Sequence, residues 1–149
     1  MARHRAEVKA QAITARIAKL QEELKGLKVA VGLTGVLPEL HDAATGCIDA
    51  QRVADFMGVA LKPLAEGLGL NYKAVHRNAS ARGFQKSLRP VKRALEILQE
   101  FFGPPEAMRV WLNTPHADLD GATALETILA GKADAVVLIL ENAWNGVPV

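Results

Sequence analysis

The sequence is poor in the residues that build disulfide scaffolds and aromatic-rich sites: it has 149 residues, one cysteine and 5% aromatic residues. The single cysteine, Cys47, excludes a disulfide framework within one chain and is typical of a reducing compartment. No apolar run approaches the length of a membrane span, and the basic first residues are not followed by the apolar core of a signal peptide. We therefore expect a cytoplasmic protein.

The patterns that mark enzymes are also missing. The histidines lie far apart and lack metal-ligand spacing, Cys47 has no evident activating neighbour, and no glycine-rich phosphate loop with lysine is found. His41 and Asp42 are adjacent, which alone does not make a catalytic dyad. Asp118 and Asp120 flank one leucine in a polar stretch, where solvation of a loop explains them better than acid–base chemistry. We expect no catalytic residue, no metal and no cofactor.

Acidic residues are absent from one segment of the chain. The net charge is only +2, but residues 1–45 carry 7 basic and 5 acidic side chains, 46–89 carry 7 and 3, and 90–149 carry 4 and 8. This division predicts a phosphate-binding surface near the middle of the chain, or else a solvated basic face, and a different role for the acidic final third. Between Asn71 and Leu95 all seven charged residues are basic: Lys73, Arg77, Arg82, Lys86, Arg89, Lys92 and Arg93.

The apolar residues, half of the chain, mostly follow helical spacing. They predict a mainly α fold with an N-terminal helical extension (1–45), a helix-turn-helix domain (46–89) and a small C-terminal helical domain (90–149). No strand is predicted, because the apolar run Val136–Leu140 also fits a buried helix face.

The first part is expected to be one amphipathic helix over residues 3–27. Its apolar stripe predicts either a seam for self-association or a face packed on the rest of the protein. Because the stripe covers fewer than four heptads, it does not by itself assign a coiled coil. Residues 27–44 contain two glycines and a proline and are expected to be irregular or a short helix. The stripe consists of Ile13, Ile17, Leu20, Leu24 and Leu27.

Residues 64–77 have the spacing of a helix-turn-helix, although an ordinary helical hairpin is the alternative. Ala65 is small enough for a close helix crossing, Gly69 suits a turn with positive φ, and Val75 would enter the core. A preceding helix over 50–57, capped by Asp49 and ended by Gly58, would complete the bundle. Asn78 stands where an apolar residue is usual, which predicts a short or tilted second helix. The candidate DNA-contacting residues are Asn71, Tyr72, Lys73, His76, Arg77 and Arg82.

Four helices are predicted in the final part. The first opens at Pro90, carries the apolar stripe Val91, Leu95, Leu98, Phe101 and Phe102, and stops at Gly103. A short helix over 106–112 follows. Thr123 and Glu126 form a capping box for the third helix, and the last runs over 133–144.

Four segments of this part resemble the toxin-binding domain of the Xre/MbcA/ParS antitoxin family, in which Trp-Leu-X-X-Pro and Gly-X-Thr-X-X-Glu segments stand in this order and spacing. The resemblance covers about residues 48–149 and leaves the first 45 without a match. The segments are Phe101-Phe102-Gly103, Trp111-Leu112-Asn113-Thr114-Pro115, Asp120-Gly121-Ala122-Thr123-Ala124-Leu125-Glu126, and Gly131-Lys132-Ala133-Asp134-Ala135-Val136.

The resemblance implies an antitoxin of a type II toxin–antitoxin system that blocks the active site of a RES-domain toxin, an enzyme that consumes NAD⁺ or modifies a protein with it. It also implies that the antitoxin's C-terminal end enters the toxin's cofactor cleft. The chain would bind operator DNA and repress its own operon as a homodimer, or in a higher-order complex with the toxin, that spans two half-sites about 34 Å apart or a multiple of that. A stand-alone transcriptional regulator with a C-terminal dimerisation domain is the alternative. The residues expected to bind the toxin are Asn142, Trp144, Asn145, Val147, Pro148 and Val149.

Overall fold

Helices make up the regular structure in the computed structural model, which describes residues 2–34 and 37–146. No strand forms in this part of the chain, where two isolated bridges pair His41 with Ile48 and Pro115 with Thr123. The mainly α prediction is therefore confirmed. The helices are α1 (Ala2–Thr34), α2 (Ala50–Met57), α3 (Leu61–Gly67), α4 (Tyr72–Arg77), α5 (Gln85–Phe102), α6 (Pro105–Leu112), α7 (Ala124–Leu129) and α8 (Ala133–Trp144).

The chain divides into two units, residues 1–38 and 39–149. In the first unit α1 is 33 residues long and continues to Thr34, so the prediction of irregular structure from residue 27 was wrong up to that point. The two internal glycines, Gly26 and Gly32, each cost only about 1 kcal/mol in a helix, which a long run of good helix formers before them offsets. Every side chain from Arg5 to Glu23 is exposed.

The second unit begins with a loop and the predicted capped helix. The Asp49 side chain accepts a hydrogen bond from the Arg52 backbone N–H at 3.0 Å, and Gly58 ends α2 with φ of 76°. Val53 and Met57 are buried, whereas Phe56 is half-buried. The N-cap Asp49 and the C-cap Gly58 can both be predicted from residue type, since each satisfies backbone groups that a helix end leaves unpaired.

The longest helix of this unit, α5, starts at Gln85, so the prediction that Pro90 opens it was wrong. Proline inside a helix removes one backbone hydrogen bond. Two sets of contacts stabilise the first turn of α5, which precedes Pro90. The Gln85 side chain donates to the Ile48 carbonyl at 2.9 Å and accepts from the Ile48 N–H at 2.7 Å, and Leu88 is fully buried. These interactions link residues far apart in sequence, which local propensity does not reveal.

Helix α5 forms the centre of the core and packs chiefly on α8 and α6. Val91, Leu95 and Leu98 are fully buried, as their spacing predicts. The stripe does not extend to the helix end, because Phe101 and Phe102 are 42% and 41% exposed. These two phenylalanines therefore belong to the surface.

Helices α6, α7 and α8 lie where the sequence placed them. The Thr123 hydroxyl accepts from the Glu126 N–H at 3.0 Å at the start of α7, which confirms the threonine half of the capping box. Helix α3 approaches α7 so closely that a Cβ built on Gly67 would lie 2.1 Å from the Leu129 carbonyl oxygen. The helix-turn-helix and the C-terminal helices are thus packed together without room for one extra methyl group.

Candidate functional sites

The helix-turn-helix consists of α3, a turn at Gly69 with φ of 72°, and α4. Ala65 and Val75 are buried and join the two helices, as predicted from their size and spacing. Leu64 is also buried, whereas Leu68 and Leu70 are half-buried. The residues that face away from this small core form the candidate nucleic-acid surface.

The second helix of the motif is short, as Asn78 predicted. Helix α4 ends at Arg77, and Asn78 is its C-cap. At the other end, the Asn71 side-chain oxygen accepts from the Ala74 N–H at 3.0 Å. Asn71 therefore has a structural role as N-cap, and its side-chain nitrogen is the part that can donate to a ligand.

The remaining candidate DNA contacts differ in exposure. Lys73, His76 and Arg77 on α4 are exposed, and Tyr72 is half-buried with its ring centroid 5.8 Å from that of His76. Arg82 is exposed but lies in the 3-10 turn Arg82–Phe84 after α4. The short helix thus carries two exposed cations, and the third follows on the turn that leads into α5.

Two members of the basic run are engaged within the protein. Lys92 is only 8% exposed, its ammonium donates to Nε2 of His41 at 2.6 Å, and it pairs with Glu96 at 3.4 Å. Nδ1 of His41 lies 2.7 Å from the Gly46 carbonyl, so this nitrogen carries the proton and Nε2 is the acceptor. Lys92 is therefore a structural residue, and the prediction of one phosphate-binding surface over the whole run was too broad.

Arg93 is the second engaged cation, since it pairs with Glu96 at 3.5 Å and with Glu141 at 3.4 Å. Among residues 5–23 and 37–146, whose side chains the structure describes, the salt bridges all involve Lys92 or Arg93. The exposed basic surface that remains consists of Lys73, Arg77, Arg82, Lys86 and Arg89.

Arg82 and Arg89 meet at a cavity of about 630 Å³. One wall is the loop from His41 to Ile48, and the other is the start of α5. The loop is held to the end of the helix-turn-helix by Asp42, which accepts from the Ala44 N–H at 2.8 Å and from the Ser80 hydroxyl at 2.9 Å. These hydrogen bonds lower the pKa of Asp42 below its ordinary value of 3.8.

The candidate toxin contacts lie at the end of α8. Trp144 is 57% exposed and its ring centroid is 5.5 Å from that of Phe101. Asn142 is half-buried, and Asn145 is exposed and ends the helix. Val147, Pro148 and Val149 lie outside the described residues, so the prediction for them is not tested here.

Sequence reasoning missed the two phenylalanines that continue this surface. Phe101 and Phe102 contact each other, and together with Trp144 they form an exposed aromatic ridge at the ends of α5 and α8. An apolar groove of about 250 Å³ lies beside the ridge, lined by Phe101, Phe102, Trp111, Ile139, Leu140 and Ala143. The available signal was their position directly before Gly103, where the helix ends and its neighbours no longer cover it.

The family-like motif residues mostly shape the fold. Trp111 is half-buried with its ring centroid 4.5 Å from that of His116, and Leu112 is buried. Asp118 and Asp120 are exposed in the loop, as expected for solvated side chains. Among the residues whose placement is described, no cluster of histidine, cysteine and carboxylate side chains could hold a metal ion, and no helix is long and apolar enough to cross a membrane.

Comparison with known proteins gave one match. Residues 98–142 match the family model for the antitoxin Xre/MbcA/ParS C-terminal toxin-binding domain. Curated proteins and solved structures gave no match. The matched stretch starts in α5 and ends in α8, so it contains both phenylalanines of the ridge and ends two residues before Trp144.

Proposed function

We propose that this chain is a cytoplasmic antitoxin that blocks a RES-domain toxin and represses its own operon, because residues 98–142 match the family model of the Xre/MbcA/ParS antitoxin toxin-binding domain. The family match confirms the resemblance seen in the sequence and supports the antitoxin role. The RES type of the toxin follows from that resemblance, and repression follows from the helix-turn-helix.

The observation that supports the proposed toxin binding is the exposed aromatic ridge within and beside the matched stretch. Three large aromatic side chains share one surface with an apolar groove next to them. Exposed apolar patches of this kind mark interaction sites, and aromatic residues are enriched where binding energy concentrates. We assign the ridge to the toxin interface, with Trp144 as its anchor.

The C-terminal residues would extend this contact. Trp144 is the last residue of α8, so the segment 145–149 begins at the ridge. We propose that this segment enters the cofactor cleft of the toxin and occupies the space that NAD⁺ would take. Inhibition would then be steric and need no chemistry from this chain.

Cellular NAD⁺ provides the test. A RES-domain gene adjacent to this one would be expressed with the intact chain, with W144A, or with a chain stopped after Gly146, which leaves α8 complete. L138A is the matched control, because Leu138 is 59% exposed on the same helix. We expect the intact chain and L138A to preserve NAD⁺, and W144A and the shortened chain to fail. Equal protection by all four proteins would refute the assignment of the toxin interface.

The exposed basic surface supports the DNA-binding half of the proposal. Lys73 and Arg77 on α4, Arg82 on the next turn, and Lys86 and Arg89 on the first half of α5 are exposed without an acidic residue between them in sequence. Such a surface supplies the phosphate contacts that position a recognition helix. The short α4 leaves room for few base contacts, for which Tyr72, His76 and the Asn71 amide nitrogen are the candidates.

A binding titration of the chain with the DNA upstream of its gene tests the proposed DNA binding. R77A is expected to weaken binding about tenfold or more, and a lost phosphate contact lowers the slope of log K against log salt by about 0.9. K132A removes one exposed cation outside the surface and should change neither value. If R77A also abolished NAD⁺ protection while remaining folded, the separation of the two surfaces would be wrong.

A further inference from the structure

Helix α1 presents an apolar face that the chain itself leaves exposed. Ile13, Ile17 and Leu20 are 60%, 50% and 55% exposed, although their spacings of four and three place them on one stripe. No side chain between Arg5 and Glu23 is buried. Most helical stability in proteins comes from packing of such a face, so a helix of this length needs a partner for it.

The length of α1 extends this stripe to the length of a coiled coil. Because the helix continues to Thr34, a heptad register with Ile13 and Leu20 at d and Ile17 at a runs from Ala6 to Thr34, which is four heptads. Every a and d position from Ala6 to Val31 is apolar in the sequence. A repeat of 3.5 residues sustained over this length is the condition for a left-handed coiled coil.

We propose that α1 pairs with α1 of a second copy of this chain in a parallel, two-stranded coiled coil. Ile17 at a and Leu20 at d are the combination that favours two strands, whereas Ile13 at d beside Ile17 favours three or four, a difference that the mass in solution resolves. Charged residues such as Lys19 and Glu22 occupy the outer c and f positions, where a coiled coil meets water. The proposal depends on α1 alone and needs neither the toxin nor DNA.

The charges beside the seam are compatible with the parallel orientation. In parallel helices a g residue faces the e residue five positions later on the partner. In this register Lys9 faces Thr14 and Arg16 faces Gln21, so no like charges meet at these two pairs.

The mass of the purified chain in solution, without toxin or DNA, tests the pairing. The chain has a mass of 16.0 kDa, so the dimer has twice that mass, about 32 kDa. I17E/L20E places charges on the seam and should give the monomer mass at micromolar concentration. A15E/A18E introduces the same two glutamates on the outer face and should remain dimeric. Both variants leave residues 39–149 untouched, which the thermal unfolding of that unit will verify.

Oxidative crosslinking tests the orientation in a Cys47→Ser background. Cysteine placed singly at position 13 or at position 20 should crosslink the dimer in both cases, since parallel helices bring each position to its own copy. An antiparallel pair can do this at only one of two positions that are about 10 Å apart along the helix.

Three outcomes would overturn the proposal. A monomeric wild-type chain, or an unchanged dimer in I17E/L20E, would show that α1 is not the dimer seam. If the wild-type chain is monomeric and I17E/L20E no longer binds the toxin, the apolar face of α1 is a toxin contact instead. Failure of the proposed toxin or DNA activities would leave the measured mass unaffected, so the two hypotheses are tested separately.

Discussion

Replacing Gly67 with alanine tests the close approach of the helix-turn-helix to the C-terminal helices. The added Cβ would lie 2.1 Å from the carbonyl oxygen, 2.7 Å from the carbonyl carbon and 2.9 Å from Cα of Leu129. All three atoms are backbone, so no side-chain rotation relieves the clash. The alanine would normally favour a helix by about 0.5–1 kcal/mol, which opposes the effect.

Overpacking of this kind costs about 1–3 kcal/mol or more. With a denaturant slope near 1.5 kcal/mol/M, a net loss of about 2 kcal/mol lowers the urea midpoint by more than 1 M. Gly83→Ala is the control, because a Cβ there meets nothing within 4 Å. We expect G67A to unfold at clearly lower urea than wild type and G83A to stay within about 0.5 kcal/mol. A G67A midpoint equal to that of wild type would refute the close contact.

Three further substitutions probe single interactions in residues 39–149. Thr123→Ala removes the N-cap of α7 and should lower the free energy of unfolding by about 1 kcal/mol in urea titrations, whereas Thr123→Ser should retain most of it. Arg109→Met should lower the melting temperature, because the guanidinium donates to the carbonyls of Phe56 and Asp55 at 2.9 and 3.2 Å and caps α2. Asp42 has a pKa below 3.8 in the folded chain, so its contribution is complete above that pH and is lost as the pH falls through the lowered value. Asp42→Asn should therefore reduce the stability loss between pH 5 and pH 2.5, and an unchanged acid profile would exclude this role.

The sequence predicted best where the determinant is local. Asp49, Gly58 and Thr123 each satisfy backbone groups of their own helix, and the elements they bound were placed correctly. Gly69 and Val75 likewise define the turn and the core of the helix-turn-helix within a few residues. In each case the sequence neighbours contain all the atoms that decide the structure.

The prediction failed where partners are distant in sequence. The start of α5 depends on hydrogen bonds from Gln85 to Ile48, and the burial of Lys92 depends on His41. Charge composition alone gave every basic residue of the run the same role. Phe101 and Phe102 fit the helical period of the core, yet no neighbouring element covers them, so only the packing reveals them as surface. Exposure is a property of the whole fold and is therefore the part of a binding site that residue types predict least.

The two candidate surfaces lie on one continuous helix. Arg89 is near the start of α5 and Phe101 near its end, about 18 Å apart along the helix axis at 1.5 Å per residue. Contacts at Gly67 and Arg109 also join α3 and α2 to the C-terminal helices. We therefore expect residues 39–149 to unfold as one cooperative unit, because neither part can open without breaking contacts of the other.

This cooperativity can be measured with the aromatic residues that the chain already has. The sequence contains one tyrosine, Tyr72 on α4, and two tryptophans, Trp111 on α6 and Trp144 on α8. Tyrosine absorbance reports the helix-turn-helix, and tryptophan fluorescence reports the C-terminal helices. Coincident urea transitions are the expected result, and Arg109→Met should move both by the same amount. If the tyrosine signal changed at lower urea than the tryptophan signal, and Arg109→Met shifted only the tyrosine midpoint, the two parts would be independent domains. Effects of R77A and W144A could then be assigned to separate folds rather than to separate faces of one.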